Sequence, residues 1–203
     1  MTVAGVLLAA GGGRRFGGPK ALVAHDGELL VERGVGLLAD AGCSPVVVVL
    51  GARSDEVVAR ARLDTAETVV NDGWEEGIGS SVRVGLTDAA RRPDVEAAVI
   101  ALVDQPLVTK EVVRRLVDAW RAGSPAAVAT FDGEPRTPVV LDRSVWAEVL
   151  TMVHGDVGAR AWLRSHPELV TELACEDLGS DFDIDTPEDL ARLAAGPRGA
   201  TCD

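Results

Sequence analysis

Short runs of β-branched and other apolar residues recur along this chain, and most are followed by a longer segment of helical periodicity. This alternation constrains the fold strongly, because parallel strands need a crossover between them and a helix usually supplies it. The apolar runs predict strands over residues 3–8, 46–50, 68–70, 97–103 and 126–130. The periodic segments predict helices over residues 29–41, 55–62, 80–91, 110–122, 144–153, 159–165 and 187–195.

The order of these elements predicts an α/β fold, a three-layer sandwich in which a mostly parallel sheet carries helices on both faces. One further extended segment, 136–141, leaves two possibilities open: it pairs antiparallel at one edge, or it extends the sheet. In open α/β sheets, ligands bind beyond the carboxyl ends of the strands. The loops 9–20, 71–81 and 104–109 are therefore the candidate binding segments.

The length of 203 residues suits one domain, which we place at 1–195, with a disordered tail at 196–203. The net charge of −12 argues against a nucleic-acid partner, which needs a broad basic surface. The three cysteines have neither disulfide-framework nor metal-ligand spacing. The first apolar stretch is too short to cross a bilayer and lacks a basic region before it, so we expect a cytoplasmic protein without membrane contact.

The loop after the first predicted strand, residues 9–20, contains five glycines and three cations but no acid. Glycine lets backbone N–H groups approach a phosphate without obstruction by Cβ, and Arg14, Arg15 and Lys20 add positive charge. The spacing excludes two better-known glycine loops: Phe16 stands where GxGxxG needs its last glycine, and the GK[ST] of the P-loop is missing. The loop therefore predicts phosphate binding of another type, against the alternative of a flexible turn.

Aspartates that follow extended segments are the candidate metal ligands. Asp104 ends the predicted strand 97–103, where its carboxylate could hold a divalent cation or cap the next helix. Asp183 and Asp185 are two residues apart before the predicted N-cap Thr186, so their side chains share one face if the approach is extended. Either could join Asp104 at Mg²⁺, which needs only one or two carboxylates beside phosphate oxygens and water.

Five segments together resemble a known enzyme family: LAAGGGRRFGGPK, NDGWEEGIGSSVRVGL, LVDQP, GDVGAR and DIDTPEDL. Their combination is similar to the molybdenum cofactor cytidylyltransferases, within the MobA-like NTP transferase superfamily. The resemblance spans nearly the whole chain and implies a Rossmann-like fold of the nucleotide-diphospho-sugar transferase type. It also implies transfer of CMP from CTP to a molybdopterin-type cofactor, with Mg²⁺ as cofactor and a molybdenum hydroxylase as a protein partner.

The same resemblance implies roles for individual residues. Arg15, Lys20 and Asp104 carry catalysis. Asp104 and Asp185 hold magnesium, with Asp183 as the rival second ligand. The loop near the acceptor contributes Gly155, Asp156 and Arg160. The nucleotide-binding set comprises Leu8, Ala9, Ala10, Gly11, Gly12, Gly13, Arg15, Lys20, Asn71, Gly79, Ser80, Ser81 and Asp104.

One segment departs from the resemblance, because similar enzymes often carry a histidine before the proline of an edge segment where this chain has Arg136-Thr137-Pro138. The acceptor therefore stays open. A transferase that uses GTP or a sugar phosphate is an alternative, as is a protein that binds and delivers a cofactor without catalysis. CTP is favoured over GTP because Ala10 adds a Cβ over the base where guanylyltransferases tend to have glycine.

Other catalytic chemistries find no support in the sequence. The three histidines form no HExxH, and no GxSxG elbow surrounds Ser80 or Ser81. The four tryptophans, Trp74, Trp120, Trp146 and Trp162, lack the close spacing of a base-stacking platform, and we expect them to pack in the core.

Overall fold

Strands and helices alternate along residues 1–195, the part of the chain that this computed structural model describes. The strands are β1 (Thr2–Ala9), β2 (Ala24–His25), β3 (Glu28–Leu29), β4 (Val46–Leu50), β5 (Glu67–Val70), β6 (Val95–Leu102), β7 (Ala126–Phe131), β8 (Glu134–Asp142) and β9 (Val170–Ala174). The helices are α1 (Leu30–Asp40), α2 (Ser54–Arg60), α3 (Ile78–Ala90), α4 (Lys110–Arg121), α5 (Arg143–Met152), α6 (Arg160–Ser165) and α7 (Pro187–Ala194). Every predicted helix is confirmed to within two residues at either end.

Seven of the strands form one sheet in the order β5-β4-β1-β6-β8-β7-β9, and within it β8 alone runs against the others. Side chains of β1 alternate between the two faces, as the period of a strand requires. Val3 and Leu7 pack with α1 and α4, whereas Val6 and Leu8 pack with α3 and α5. Helices therefore cover both faces, and the predicted mostly parallel three-layer α/β sandwich is confirmed.

The segment 136–141 belongs to β8 and lies inside the sheet between β6 and β7, so it is antiparallel but not at an edge. Its proline would be expected at an edge, because proline cannot donate to a strand ladder. A register shift between Val128 and Ala129 of β7 leaves Pro138 outside the paired residues, and pairing with β6 begins only at Val139. This bulge lets an interior strand contain the proline.

Two elements were not predicted. The strand β9 forms the sheet edge beside β7. The two-stranded hairpin β2–β3 turns through Asp26 and Gly27, whose φ angles of 52° and 81° match the Asp-Gly signature of a tight hairpin. None of the helices within residues 1–195 is long and apolar enough to cross a membrane. The predicted tail at 196–203 lies outside the described residues.

Candidate active site

A pocket of about 520 Å³ opens beyond the carboxyl ends of β1 and β6, where an open α/β sheet is expected to bind its ligands. We call it the loop pocket, because the first loop supplies much of its wall. Its lining residues are Leu8, Ala10, Gly11, Gly12, Gly13, Arg14, Arg15, Lys20, Trp74, Glu75, Gly77, Ile78, Ser81, Leu102, Val103, Asp104, Asp156 and Asp185. Three distant parts of the sequence, the first loop, Asp104 and Asp185, are thus brought together.

The first loop has a tight conformation set by its own backbone. Gly17 and Gly18 donate their N–H groups to the carbonyl of Gly13 at 2.8 and 3.2 Å. Gly13 has a φ of +58°, and a Cβ added there would lie 1.9 Å from the Gly18 carbonyl oxygen. Only glycine fits such a position, so the loop is a defined turn around a close backbone approach.

Lys20 lies between the two carboxylates on the charged side of the loop pocket. Its ammonium donates to Asp104 Oδ2 at 2.7 Å and to Asp185 Oδ1 at 2.5 Å, and only 15% of the side chain is exposed. Burial alone would lower the pKa of Lys20, but attraction and hydrogen bonds to the two carboxylates outweigh it and raise that pKa. Arg15 lies at the exposed rim and donates to Asp185 Oδ2 at 2.9 Å.

Asp185 reaches this site because the residue before it is anchored. Ile184 is fully buried against Val23 and Leu30, and its N–H donates to the carbonyl of Asp104 at 2.9 Å. The hydrogen bond from Lys20 lowers the pKa of Asp185, so this carboxylate stays ionised. The chain then enters α7 through a capping box, in which the hydroxyl of Thr186 accepts from the Asp189 N–H.

Asp183 lies on the other side of Ile184 and does not line the loop pocket. Partial desolvation, together with the nearby charge of Asp104, raises the pKa of Asp183 to about 6, although the residue keeps some solvent exposure. Lys20 makes its two carboxylate hydrogen bonds to Asp104 and Asp185 instead. Asp183 is therefore ionised less readily than Asp185, whose pKa is lowered.

The pair Asp104 and Asp185 has a donor set that suits a hard divalent cation. Both carboxylates approach one ammonium within hydrogen-bonding distance, so Lys20 stands where a cation would balance them. Within residues 1–195, no group of three or more potential ligand side chains has metal-binding geometry. Mg²⁺ commonly uses one or two carboxylates and takes its other ligands from phosphate and water, so a pair is sufficient.

Asn71 organises the loop that precedes α3. It is 4% exposed, and its amide donates to the hydroxyls of Ser80 and Ser81 at 2.8 and 3.0 Å. Ser80 in turn donates to backbone carbonyls of its own loop. Gly79 packs against the backbone of His154. Of the residues predicted here, Ser81 lines the loop pocket, while the other three support its wall.

A second cavity of about 320 Å³ adjoins the loop pocket and shares Leu8, Ile78, Leu102 and Asp156 with it. We call it the apolar cavity. Its interior is aliphatic, formed by Leu8, Ile78, Val82, Ile100, Leu102, Val128, Val139, Leu163 and Val170. Its polar side chains are Glu134, Arg136, Thr137, Asp156, Arg160, Arg164 and Glu172.

The predicted acceptor loop forms one border of this cavity. Asp156 and Arg160 line it, whereas the backbone of Gly155 packs against Gly77. Gly77 has a φ of +105°, and a Cβ there would lie 2.5 Å from the Gly155 carbonyl carbon. The loop 154–158 is therefore held directly against the start of α3.

Three residues that line these two pockets are not among the predicted site residues, although the segment Arg136-Thr137-Pro138 was noted as bearing on the acceptor. Arg136 and Thr137 line the apolar cavity, and Thr137 donates to the buried Gln105 at 2.8 Å. Trp74, expected in the core, instead lines the loop pocket beside Glu75. Its position three residues after Asn71, within a glycine-rich loop rather than a helix, was the available signal.

Comparison with known proteins gives consistent relatives. The family model described as "MobA-like NTP transferase domain" matches residues 5–170. The nicotine blue oxidoreductase of Paenarthrobacter nicotinovorans is 42% identical over 94% of this chain and 96% of its own length. The molybdenum cofactor guanylyltransferase of Rhodobacter capsulatus is 30% identical over 95% of each chain.

A solved structure shares the whole fold. The complex of Rv0371c from Mycobacterium tuberculosis H37Rv with manganese superposes with a TM-score of 0.79 at 29% identity, covering 97% of this chain and 100% of that one. The likeness thus covers a larger share of the chain than residues 5–170, which the family model matches.

Proposed function

Because the chain belongs to the MobA-like NTP transferase family, we propose that it transfers CMP from CTP to a molybdopterin-type cofactor and releases pyrophosphate. One observation carries the proposal. Lys20 lies between two carboxylates at the mouth of a glycine loop, which is an arrangement for handling phosphate and a divalent cation together. A molybdenum hydroxylase that receives the product is the proposed protein partner.

In the proposed reaction, a phosphate oxygen of the acceptor attacks the α-phosphorus of CTP in line, and the bond to pyrophosphate breaks. The nucleophile is already anionic, so the site needs no strong general base. Its tasks are to position two anions and to neutralise the charge that develops between them. Lys20 and Arg15 supply fixed positive charge, and the turn at Gly13 presents backbone to the phosphates.

Asp104 and Asp185 are the proposed magnesium ligands. Magnesium, when bound, neutralises phosphate charge and orients the leaving pyrophosphate. Lys20 compensates both carboxylates in this structure; if the pair held a cation, the ammonium of Lys20 would be available to a phosphate group. The manganese in the complex of the mycobacterial protein supports a divalent cation in a relative of the same fold.

The base and acceptor assignments rest on the two adjoining pockets. Ala10 is buried at the wall of the loop pocket, where its Cβ favours a one-ring over a two-ring base. A single methyl group discriminates by about 1 to 3 kcal/mol, so CTP preference is expected to be partial. The apolar cavity suits the faces of a flat ring system, with Arg136 and Arg160 available to an anionic group at its border.

The test is release of pyrophosphate from each Mg-NTP in the presence of molybdopterin. We expect turnover with CTP that Lys20→Met abolishes, while Lys110→Met, at the other lysine of the chain, leaves it intact. Binding of the cofactor without pyrophosphate release would instead identify a delivery protein. Equal or higher kcat/KM with GTP would remove the cytidylyl assignment and leave the transferase.

A second candidate is favoured by the oxidoreductase relative, with which the chain shares 42% identity over nearly its whole length. In that function, a reduced nicotinamide dinucleotide would occupy the loop pocket and pass a hydride to a ring compound in the apolar cavity, with a proton taken from water. The carboxylate pair has no role in such a step. Oxidation of NADPH by a dye acceptor that survives Asp104→Asn would support this function over nucleotidyl transfer.

A further inference from the structure

The four tryptophans of the chain differ in how their indole N–H groups are used. The N–H groups of Trp120, Trp146 and Trp162 donate to protein acceptors: Asp142 at 2.7 Å, the Leu141 carbonyl at 3.0 Å and Glu148 at 3.0 Å. Within the part of the chain that the structure describes, the N–H of Trp74 donates to no protein acceptor and is not a buried unpaired donor, so it is open to solvent beside the loop pocket that the residue lines. A Trp with an apolar body packed on the protein and an accessible N–H is suited to an interface, where the N–H can find its partner in a bound molecule.

Two glycines form a seat for the Trp74 ring. A Cβ added to Gly51, at the end of β4, would lie 2.7 Å from Trp74 Cβ and 2.8 Å from its Cγ. A Cβ added to Gly12 would lie 2.9 Å from Trp74 Cη2 and 3.0 Å from its Cζ3. The indole therefore bridges the end of β4 and the first loop, and its N–H lies on the long edge opposite Cζ3.

The strand order separates this indole from the charged centre. β4 and β6 flank β1 on opposite sides, so Trp74 lies on the β4 side of the first loop and Asp104 follows the strand on the other side. Lys20 and Asp185 gather at Asp104. Glu75 follows Trp74 directly in the wall of the loop pocket, and its carboxylate would repel phosphate. The uncharged carbonyl of Ala10 lies beside the same glycine, Gly51, as the indole.

We infer that Trp74 contacts the nucleoside part of the bound nucleotide. The indole forms one wall of the base and ribose subsite, and its free N–H donates to an oxygen or nitrogen acceptor of the nucleoside. The identity of the nucleotide as CTP rests on the proposed function. The contact itself requires only that a nucleotide fills the loop pocket.

The first test uses the fluorescence of the tryptophans as Mg-CTP is titrated, with magnesium pyrophosphate as the probe that lacks a nucleoside. Mg-CTP should change the emission of the wild type and of Trp120→Phe, and pyrophosphate should not. Trp74→Phe should lose the change. Retention of the full change in Trp74→Phe, or an equal change with pyrophosphate, would refute the contact.

A second test measures affinity. Trp74→Leu should weaken Mg-CTP binding by about tenfold or more, as loss of an aromatic contact with a base does. Binding of pyrophosphate should stay within about twofold, since distant sites behave independently. If Trp74→Leu weakened the binding of Mg-CTP and of pyrophosphate equally, Trp74 would act only by stabilising the first loop. Nucleotide binding without pyrophosphate release would refute the transferase and keep the contact.

The close approach of Gly12 to the Trp74 ring allows a third test. In the wild type, Gly12→Ala should displace the indole and weaken Mg-CTP binding. In the Trp74→Leu background, the same substitution should raise the Kd for Mg-CTP by no more than about a further twofold, because the indole that it would contact is absent. Gly36→Ala is the matched control, since its Cβ would meet nothing within 4 Å. An equal cost of Gly12→Ala in both backgrounds would show that Gly12 acts without Trp74.

Discussion

Replacement of Lys20 by Met should destabilise the protein in a way that magnesium reverses. The substitution keeps the apolar stem but removes the ammonium that joins Asp104 and Asp185. With 15% of the Lys20 side chain and 21% of the Asp104 side chain exposed, the contact lies between a surface pair and a buried one. We therefore expect a loss of about 2 kcal/mol in the free energy of unfolding.

A loss of that size should lower the Tm of a 203-residue chain by about 4–8 °C. The assay is thermal unfolding of wild type and Lys20→Met with and without Mg²⁺, with Lys110→Met as control. Mg²⁺ should raise the Tm of Lys20→Met more than that of the wild type, because the variant leaves the carboxylates without a counter-charge. An unchanged Tm, or a Mg²⁺ response equal to that of the control, would refute this account.

The pH range of the effect follows from the pKa shifts. The pKa of Lys20 is raised above 10.5, so its contribution is present below that value and is lost as the pH rises through the folded-state pKa. The pKa of Asp185 is lowered below 3.8, so its contribution is present above that value and is lost as the pH falls through the folded-state pKa. Asp183, with a pKa of about 6, also feels the charge of Lys20, which lowers that pKa. The difference in Tm between wild type and Lys20→Met should thus change around pH 6 and be nearly constant only from about pH 8 to pH 9.

Four further predictions concern single residues. Asp185→Asn should remove turnover in the pyrophosphate assay while the far-UV circular dichroism spectrum stays native; if Asp183→Asn is inactive and Asp185→Asn is not, the second ligand is misassigned. Because the pKa of Asp183 is raised to about 6, its ionisation lowers stability as pH rises from 3.8 through 6. Asp183→Asn should accordingly raise the Tm at pH 7.5 but not at pH 4, and a lower Tm at pH 7.5 would contradict that sign. Burial raises the pKa of Cys43 to about 12, so mass spectrometry should find it unmodified by iodoacetamide in the native protein at pH 8. Arg160→Glu should raise the KM for the anionic acceptor with little effect on the KM for CTP, and an unchanged acceptor KM would remove Arg160 from that site.

The helices and most strands could be predicted because each must bury an apolar face of known period. Lys20 and Asp104 could be placed at the site for a related reason: each lies in a loop that directly follows a buried strand, so the fold decides where it lies. Alternation along the chain was therefore sufficient to place Lys20 and Asp104 at the same end of the sheet, but not Asp185.

The features that escaped prediction depend on pairing between distant residues. The interior place of β8 requires a bulge that leaves Thr137 and Pro138 unpaired, and its position depends on the register with β7, which no local sequence pattern indicates. The residues alone left Asp183 and Asp185 open, and only the resemblance implied Asp185; the contact of Asp185 with Lys20 accompanies the burial of Ile184, which no local pattern shows. From sequence, Trp74 is indistinguishable from a core tryptophan, because its contacts with Gly12 and Gly51 depend on the folded loops.

The anchoring of Ile184 also decides how far the protein can be trimmed. The family model ends at residue 170, yet Ile184 fills the space beside Val23 and Leu30, and Asp185 closes the charged centre. A fragment that stops at the matched boundary would lose one of the two carboxylates that compensate Lys20 and would uncover the apolar surface beneath the first loop. Expression boundaries, fusion points and protease sites intended to spare activity therefore belong after α7 rather than before it.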